Sequence, residues 1–132
     1  MGGRIIARGI VIGIAAMALV VAIGAAWVWL SAIAFNPGHA EPYYQLYAQR
    51  VAPLIAITSG IPLLFAAGWL SGRGTRSPAA PLLPAITYIL LDIVLVAAGG
   101  LWPPVWSLIV SWLTKLAAAW AGGALARRRR AA

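Results

Sequence analysis

Four long apolar runs are the feature of this chain that most constrains its fold. They extend over residues 9–35, 51–71, 81–101 and 105–126. At 1.5 Å per residue, each run is long enough to cross a hydrocarbon core of roughly 30 Å. Only α-helices and closed β-barrels span lipid, and these runs lack the alternation of a barrel strand. The sequence therefore predicts an all-α integral membrane protein, a four-helix bundle in which residues 1–132 form a single transmembrane domain.

The composition excludes an ordinary soluble domain. Hydrophobic residues make up 63% of the chain and charged residues 9%, whereas a soluble domain carries about a quarter charged residues. The net charge of +8 would suggest a nucleic-acid partner in a soluble protein. However, the arginines flank the apolar runs, and the Arg127–Arg130 run has no neighbouring aromatic residues. We expect no nucleic acid as partner; the expected partner is the lipid bilayer, with the Arg127–Arg130 tail on anionic headgroups.

The positions of the arginines predict how the chain crosses the membrane, because lysine and arginine mark the cytoplasmic side of membrane segments. With both termini in the cytoplasm, only Arg50 falls on the outer side, and eight arginines fall on the inner side. These eight are Arg4, Arg8, Arg73, Arg76 and Arg127–Arg130. We expect an N-in, C-in, multi-pass protein of a cell inner (plasma) membrane, and the alanine, glycine and arginine content favours a bacterial source.

The first apolar run has a second interpretation, as a secretory signal peptide. Arg4 and Arg8 precede it, and Ala32-Ile33-Ala34 resembles a cleavage site. A signal peptide has an apolar segment of about 7–15 residues, whereas this run extends over residues 9–35. We therefore expect an uncleaved first helix.

Residues 36–50 form the predicted outer loop, the extended polar segment of the chain. Asn36-Pro37-Gly38 favours a turn, and Glu41-Pro42 is typical of a helix start, with an acid near the positive end of the helix dipole. One interpretation of the loop is an anchor at the membrane interface, and the other is a binding lip on the outer surface. The residues of this outer lip are His39, Glu41, Tyr43, Tyr47 and Arg50.

Pro53 and Pro62 predict a kink in the second helix, because proline removes a backbone hydrogen bond. Such interruptions expose carbonyl groups to a solute in some transporters. More often, neighbouring hydroxyl groups satisfy the freed backbone, and Thr58 and Ser59 stand between the two prolines. We expect a structural kink.

Small residues recur at a spacing of four on the first and last helices, which favours close helix approach. The pairs are Gly9 and Gly13, Ala118 and Gly122, and Ala119 and Gly123. The pattern does not say whether the partner helix belongs to this chain or to another copy.

The third and fourth helices are joined by Trp102-Pro103-Pro104, which predicts a tight antiparallel hairpin. If the turn is centred between the two prolines, Asp92 and Lys115 lie at the same depth, near the bilayer centre. Each charge alone costs roughly 2.5–3.5 kcal/mol there, so a chain tolerates it when the groups pair or line a wet cavity. The sequence therefore predicts an intramembrane salt bridge within a buried polar network. The members of this network are Asp92, Lys115, Tyr88, Ser111 and Thr114.

The chain has few side chains that could take part in catalysis, because it has no cysteine, one histidine and two acidic residues. We expect no enzyme activity, no metal and no cofactor; a Schiff base on Lys115 is the weakest alternative. The sequence favours an accessory or assembly subunit, or a homo-oligomer, with self-association or a membrane-protein partner. The alternative is a small proton- or ion-coupled transporter in which Asp92 titrates. A hydrated pocket that joins Asp92 to one membrane face would favour the transporter.

Overall fold

The computed structural model of the protein describes residues 2–100 and 102–131, which are helical and contain no strand. Four helices are long and apolar enough to cross a membrane. They are α1 (Gly3–Leu30, continued by a π-helical turn at Ser31–Phe35), α2 (Glu41–Gly72), α3 (Leu83–Gly99, preceded by a 3₁₀ turn at Ala80–Leu82) and α4 (Val105–Ala131).

Large apolar side chains cover the outside of the bundle. Apolar exteriors of this extent are foreign to monomeric soluble proteins, and they suit contact with lipid. Side chains that are more than half exposed include Val11, Trp29, Leu54, Leu90, Val94 and Val105. The exterior therefore agrees with the length and hydropathy of the helices.

Three helices extend further than the apolar runs, and the first of them, α1, begins at Gly3, six residues before its run. Helix α2 begins at Glu41, so residues 41–50, expected in the outer loop, form its first turns, and the loop itself is confined to residues 36–40. Pro42 in the first turn, with an acid beside it, explains this start. Helix α4 continues through the Arg127–Arg130 run, because arginine is a good helix former and is stabilised at the negative end of the helix dipole.

Helix α2 continues through both of its internal prolines. Because Pro62 has no N–H, the carbonyl of Thr58 loses its usual helical donor. The hydroxyl of Thr58 donates to the carbonyl of Leu54 at 2.7 Å, and Ser59 likewise donates to a carbonyl four residues earlier. These hydroxyl groups therefore bond carbonyls other than the one that Pro62 leaves free.

The closest helix contact is between the backbones of α2 and α4. A Cβ atom at Gly68 would overlap the backbone of Ala119, and a Cβ atom at Gly122 would overlap the carbonyl oxygen of Phe65. Glycine is required on both sides because nothing larger fits between the two backbones. The small residues of α4 thus serve a contact within the chain.

The small residues of α1 serve a second contact within the chain, against the start of α3. A Cβ atom at Gly13 would lie 2.7 Å from the carbonyl oxygen of Pro84 and 2.7 Å from Thr87 Cβ, and one at Gly9 would lie 2.6 Å from Leu83 Cβ. Helix α3 thus packs mainly on α1, whereas α4 packs mainly on α2.

Helices α3 and α4 have fewer contacts with each other than with these partners. Their connection passes through Leu101, which lies outside the described residues, so the predicted tight hairpin stays a prediction. Gly100, which follows α3, has a left-handed conformation with φ of 68°, and α4 begins at Val105. The ends of the two helices are therefore centred near Trp102.

Candidate functional site

Lys115 is the most deeply buried charged side chain among the described residues, with an exposed fraction of 0%. Its ammonium group donates a hydrogen bond to Ser111 Oγ, one turn earlier on α4, and lies 4.7 Å from the centroid of the Tyr88 ring. On the α2 side, Gly60 provides the space, because a Cβ atom there would lie 2.7 Å from Lys115 Cε. The lysine is therefore held by a hydroxyl, an aromatic face and a glycine gap.

Asp92 has a different environment. Its side chain is half-buried, and its Oδ2 atom accepts a hydrogen bond of 2.8 Å from Trp112 Nε1. This bond joins α3 to α4. Because it occupies one carboxylate oxygen, Oδ1 remains for another partner.

The predicted salt bridge between Asp92 and Lys115 is not formed, since no N–O distance of 4.0 Å or less joins oppositely charged groups among the described residues. Asp92 contacts Trp112, three residues before Lys115, and Lys115 contacts Tyr88, four residues before Asp92. The register of α3 against α4 thus differs by about one helical turn from the expected one. The cause is the position of the connection, which is centred on Trp102 and not between the two prolines.

The predicted network is therefore divided into two parts. Tyr88, Ser111 and Lys115 lie together, whereas Asp92 bonds Trp112. The expected member Thr114 bonds its own helix instead, with its hydroxyl 2.8 Å from the carbonyl oxygens of Val110 and Ser111. Sequence reasoning missed Trp112; the only available signal was its indole N–H, a donor that needs a partner in an apolar environment.

The level of Asp92 and Lys115 divides the bundle into two halves. We call the part formed by residues 20–59 and 92–114 the aromatic half, and the part formed by residues 3–19, 60–91 and 115–131 the arginine half. The close glycine contacts of α2 with α4 and of α1 with α3 all lie in the arginine half.

Two cavities lie mainly in the aromatic half, and Asp92 lines both. The first has a volume of about 520 Å³, lies between α2, α3 and α4, and extends from Asp92 and Ser111 to Trp102, Pro103 and Pro104 at the end of the bundle. The second has a volume of about 650 Å³ and is bounded by α1, α2 and α3. Asp92 is the only charged side chain among the described residues that line either cavity.

The structure distributes the expected outer-lip residues over separate contacts. The rings of His39 and Tyr43 stack with their centroids 3.9 Å apart. Tyr47 bonds α1, accepting a hydrogen bond of 3.0 Å from Trp27 Nε1. Glu41 Oε1 accepts from Gln45 Nε2 at 3.5 Å rather than pairing with the remaining lip residue, the exposed Arg50.

Tyr44, which the lip did not include, organises the turn before α2. Its hydroxyl donates to the carbonyl oxygen of Asn36 at 2.8 Å and accepts a hydrogen bond from the backbone N–H of His39 at 3.2 Å. Tyr44 also lines the second cavity. These contacts fasten the loop of residues 36–40 onto the start of α2.

No group of three or more histidine, cysteine, aspartate or glutamate side chains that could hold a metal occurs within the described part of the chain. The charged groups of the site are the half-buried carboxylate of Asp92, which lines both cavities, and the buried ammonium group of Lys115. Comparisons with protein-family models, curated proteins and solved structures find no match. The class of protein is therefore stated from the structure: the described residues form a helical protein with four helices long and apolar enough to cross a membrane.

Proposed function

We propose that the protein is a small, non-enzymatic, multi-pass membrane protein that exchanges a proton or a small cation at Asp92. The observation that carries this proposal is the cavity of about 520 Å³ that joins Asp92 to the end of the bundle at Trp102, Pro103 and Pro104. An ionisable side chain inside a membrane is costly, and it is most often found where it lines an ion or proton path. The carboxylate is the charged group that this path reaches.

The separation of Asp92 from Lys115 supports exchange at the carboxylate. A carboxylate in a direct salt bridge would have to break that bond before it took up a proton or a cation. Here Lys115 is held by Ser111 and Tyr88, and Trp112 occupies only Oδ2 of Asp92. A proton or cation that enters from the aromatic half binds at Oδ1, while the buried ammonium group balances the charge of the unloaded carboxylate.

Proton uptake in reconstituted liposomes tests the proposal. Asp92→Asn keeps the shape of the side chain and removes its titration, so we expect it to abolish a pH-driven proton flux that the wild type supports. Glu41→Gln is the matched control, since it removes the other acidic side chain, which is exposed at the start of α2. Equal flux in Asp92→Asn and the wild type would refute the proposal.

A second candidate function, an accessory or assembly subunit or a homo-oligomer, is favoured by the hydrogen bond between Trp112 and Asp92. In this function, Asp92 fastens α3 to α4, which otherwise contact each other little. Asp92→Asn would then lower the melting temperature and leave liposomes as proton-tight as the wild-type preparation. If the wild type shows no proton flux and Asp92→Asn strongly destabilises the protein, the structural function is favoured over exchange at Asp92.

We also propose that the arginine half faces the cytoplasm of a cell inner membrane, as the arginine distribution favours. The chain has no cysteine, so single-cysteine variants report orientation cleanly. Gln49→Cys, in the first turns of α2, should react with an impermeant maleimide added to intact cells. Ser77→Cys, in the segment between α2 and α3, should react only after the cells are opened, and the reverse order would overturn the orientation.

A further inference from the structure

Four of the eight arginines of the arginine half line one cavity, although they come from three different helix ends. This cavity has a volume of about 750 Å³, within the range of about 300–1,000 Å³ that is typical of small-molecule sites. Its lining includes Arg8 near the start of α1, Arg73 after the end of α2, and Arg129 and Arg130 at the end of α4. The convergence follows from the fold, because 65 positions separate Arg8 from Arg73 and 56 separate Arg73 from Arg129.

Two of these arginines are fixed by contacts within the protein. Arg8 donates to the carbonyl oxygen of Leu70 at 2.7 Å and to that of Arg73 at 3.3 Å, so it caps the end of α2. The guanidinium carbon of Arg73 lies 4.4 Å from the centroid of the Trp69 ring. One wall of the cavity is therefore preorganised, and Arg129 and Arg130 face it from α4.

A second basic cavity of about 530 Å³ adjoins the first through Arg130, which lines both. Thr75, Arg76 and Arg127 also line this second cavity. The Nη1 atom of Arg127 is buried and has no hydrogen-bond partner within the described residues. A buried donor of this kind costs free energy until an acceptor reaches it.

The chain supplies no acidic side chain to these arginines. Its two acidic side chains are Glu41, at the start of α2 in the aromatic half, and Asp92, in the middle of α3. The positive charge at the arginine half therefore calls for an anion from outside the protein, and planar guanidinium groups suit the oxygen atoms of a phosphate.

The helix surfaces beside the cavity indicate where that phosphate comes from. Leu70, Trp120 and Leu125 lie close in sequence to the arginines that line it, and all three are exposed. Apolar side chains of this kind suit the acyl chains of a lipid whose headgroup lies at the level of the arginines. A free phosphate would make no use of them.

We propose that Arg130, with Arg73 and Arg129 on one side and Arg127 on the other, binds the phosphate of an anionic phospholipid headgroup. The site is a defined one, built from two helix ends, and is not a diffuse attraction between a basic tail and a charged surface. Arg128, which lines neither cavity, provides the matched control. Arg128→Gln removes the same charge from the same run of α4.

The test uses thermal melting of the full chain in detergent, with phosphatidylglycerol, phosphatidylcholine or inorganic phosphate added. Of the three additives, we expect only phosphatidylglycerol to raise the melting temperature of the wild type and of Arg128→Gln. Arg130→Gln should require about tenfold more phosphatidylglycerol for the same rise, because it loses a charge-assisted bond to phosphate. The melting temperature without lipid shows whether each variant is folded, and native mass spectrometry counts the retained lipids.

Three outcomes would overturn the proposal. Equal loss in Arg128→Gln and Arg130→Gln would mean that only the total charge matters. If inorganic phosphate raises the melting temperature as much as phosphatidylglycerol does, the site binds a free anion. If phosphatidylcholine does so, the site does not select a negatively charged headgroup. These results are independent of Asp92, so they leave the proposed exchange at that carboxylate untouched.

Discussion

The two halves of the bundle are built from the same four helices but are packed differently. In the arginine half, a Cβ atom at Gly122 would overlap a backbone carbonyl, and one at Gly13 would lie 2.7 Å from another. In the aromatic half, a Cβ atom at Gly24 would lie 3.8 Å from Ile55, an ordinary contact, and one at Gly99 would meet nothing within 4 Å. In the arginine half, backbone contacts separate the basic cavities from the level of Asp92, whereas the cavities of the aromatic half reach that residue.

The residue types explain the difference. The arginine half places small residues opposite each other, so the helices approach until their backbones touch. The aromatic half is joined instead by side-chain bonds, such as those of Trp27 with Tyr47 and of Trp112 with Asp92. The closely packed arginine half thus fixes the positions of the helices, and the aromatic half leaves space beside Asp92.

The largest effect on stability is expected from adding a side chain to the close helix contact of the arginine half. Gly122→Ala should destabilise the protein by about 3 kcal/mol, the upper end of overpacking costs, because the new methyl group forces α4 away from the carbonyl of Phe65. Unfolding in a denaturing detergent, followed by circular dichroism, measures this change.

Gly24→Ala is the control for that variant, since it adds the same methyl group in the aromatic half. We expect no loss of stability, and a gain of up to about 1 kcal/mol from the better helix propensity of alanine. If both variants lose the same stability, the proposed difference in packing between the two halves is wrong.

The next largest effect is expected at the boundary between the halves. Ser111→Ala removes the hydroxyl that accepts a hydrogen bond from the buried ammonium group of Lys115, and we expect a loss of about 2 kcal/mol. Lys115→Met removes the charge itself. The double variant should recover most of the loss of Ser111→Ala, because no charge is then left without its acceptor, whereas additive losses would show that the hydroxyl does not serve the lysine.

The smallest effect on stability is expected in the aromatic half. Trp112→Phe keeps most of the ring but removes the hydrogen bond to the half-buried Asp92, so we expect a loss of about 1 kcal/mol. Trp106→Phe is the matched control, because the Trp106 side chain is exposed to the surroundings of the bundle. A loss for Trp112→Phe as large as that for Gly122→Ala would mean that the aromatic half is held as firmly as the arginine half.

The sequence predicted the features that depend on one helix at a time. Length and hydropathy of each apolar run were enough to predict four helices able to cross a membrane, and the structure confirms them. Glycine spacing predicted close approach but not the partner, because a small residue fits against any helix. Only the fold shows that Gly13 contacts α3 and Gly122 contacts α2.

The site depended on the register between two helices, which the sequence determines poorly. An uncertainty of two residues in the centre of a turn shifts the facing residues by a full helical turn. This shift separated Asp92 from Lys115 and gave each of them another neighbour, Trp112 and Tyr88 respectively. The cavities could not be predicted either, since they depend on how three helices are placed relative to one another, and small residues such as Ala52, Ala56 and Gly24 help to line them.

The most direct test of this account compares two cysteine substitutions in a chain that has no other cysteine. Ser107 and Ser71 are both buried and both lie near a helix end, but Ser107 lines the cavity that leads to Asp92, whereas Ser71 lies in the arginine half. In membranes opened to both sides, a small water-soluble maleimide should modify Ser107→Cys rapidly and Ser71→Cys very slowly. Equal rates, or faster modification of Ser71→Cys, would contradict the claim that a cavity leads into the aromatic half as far as Asp92, whereas backbone contacts close the interior of the arginine half beyond its basic cavities.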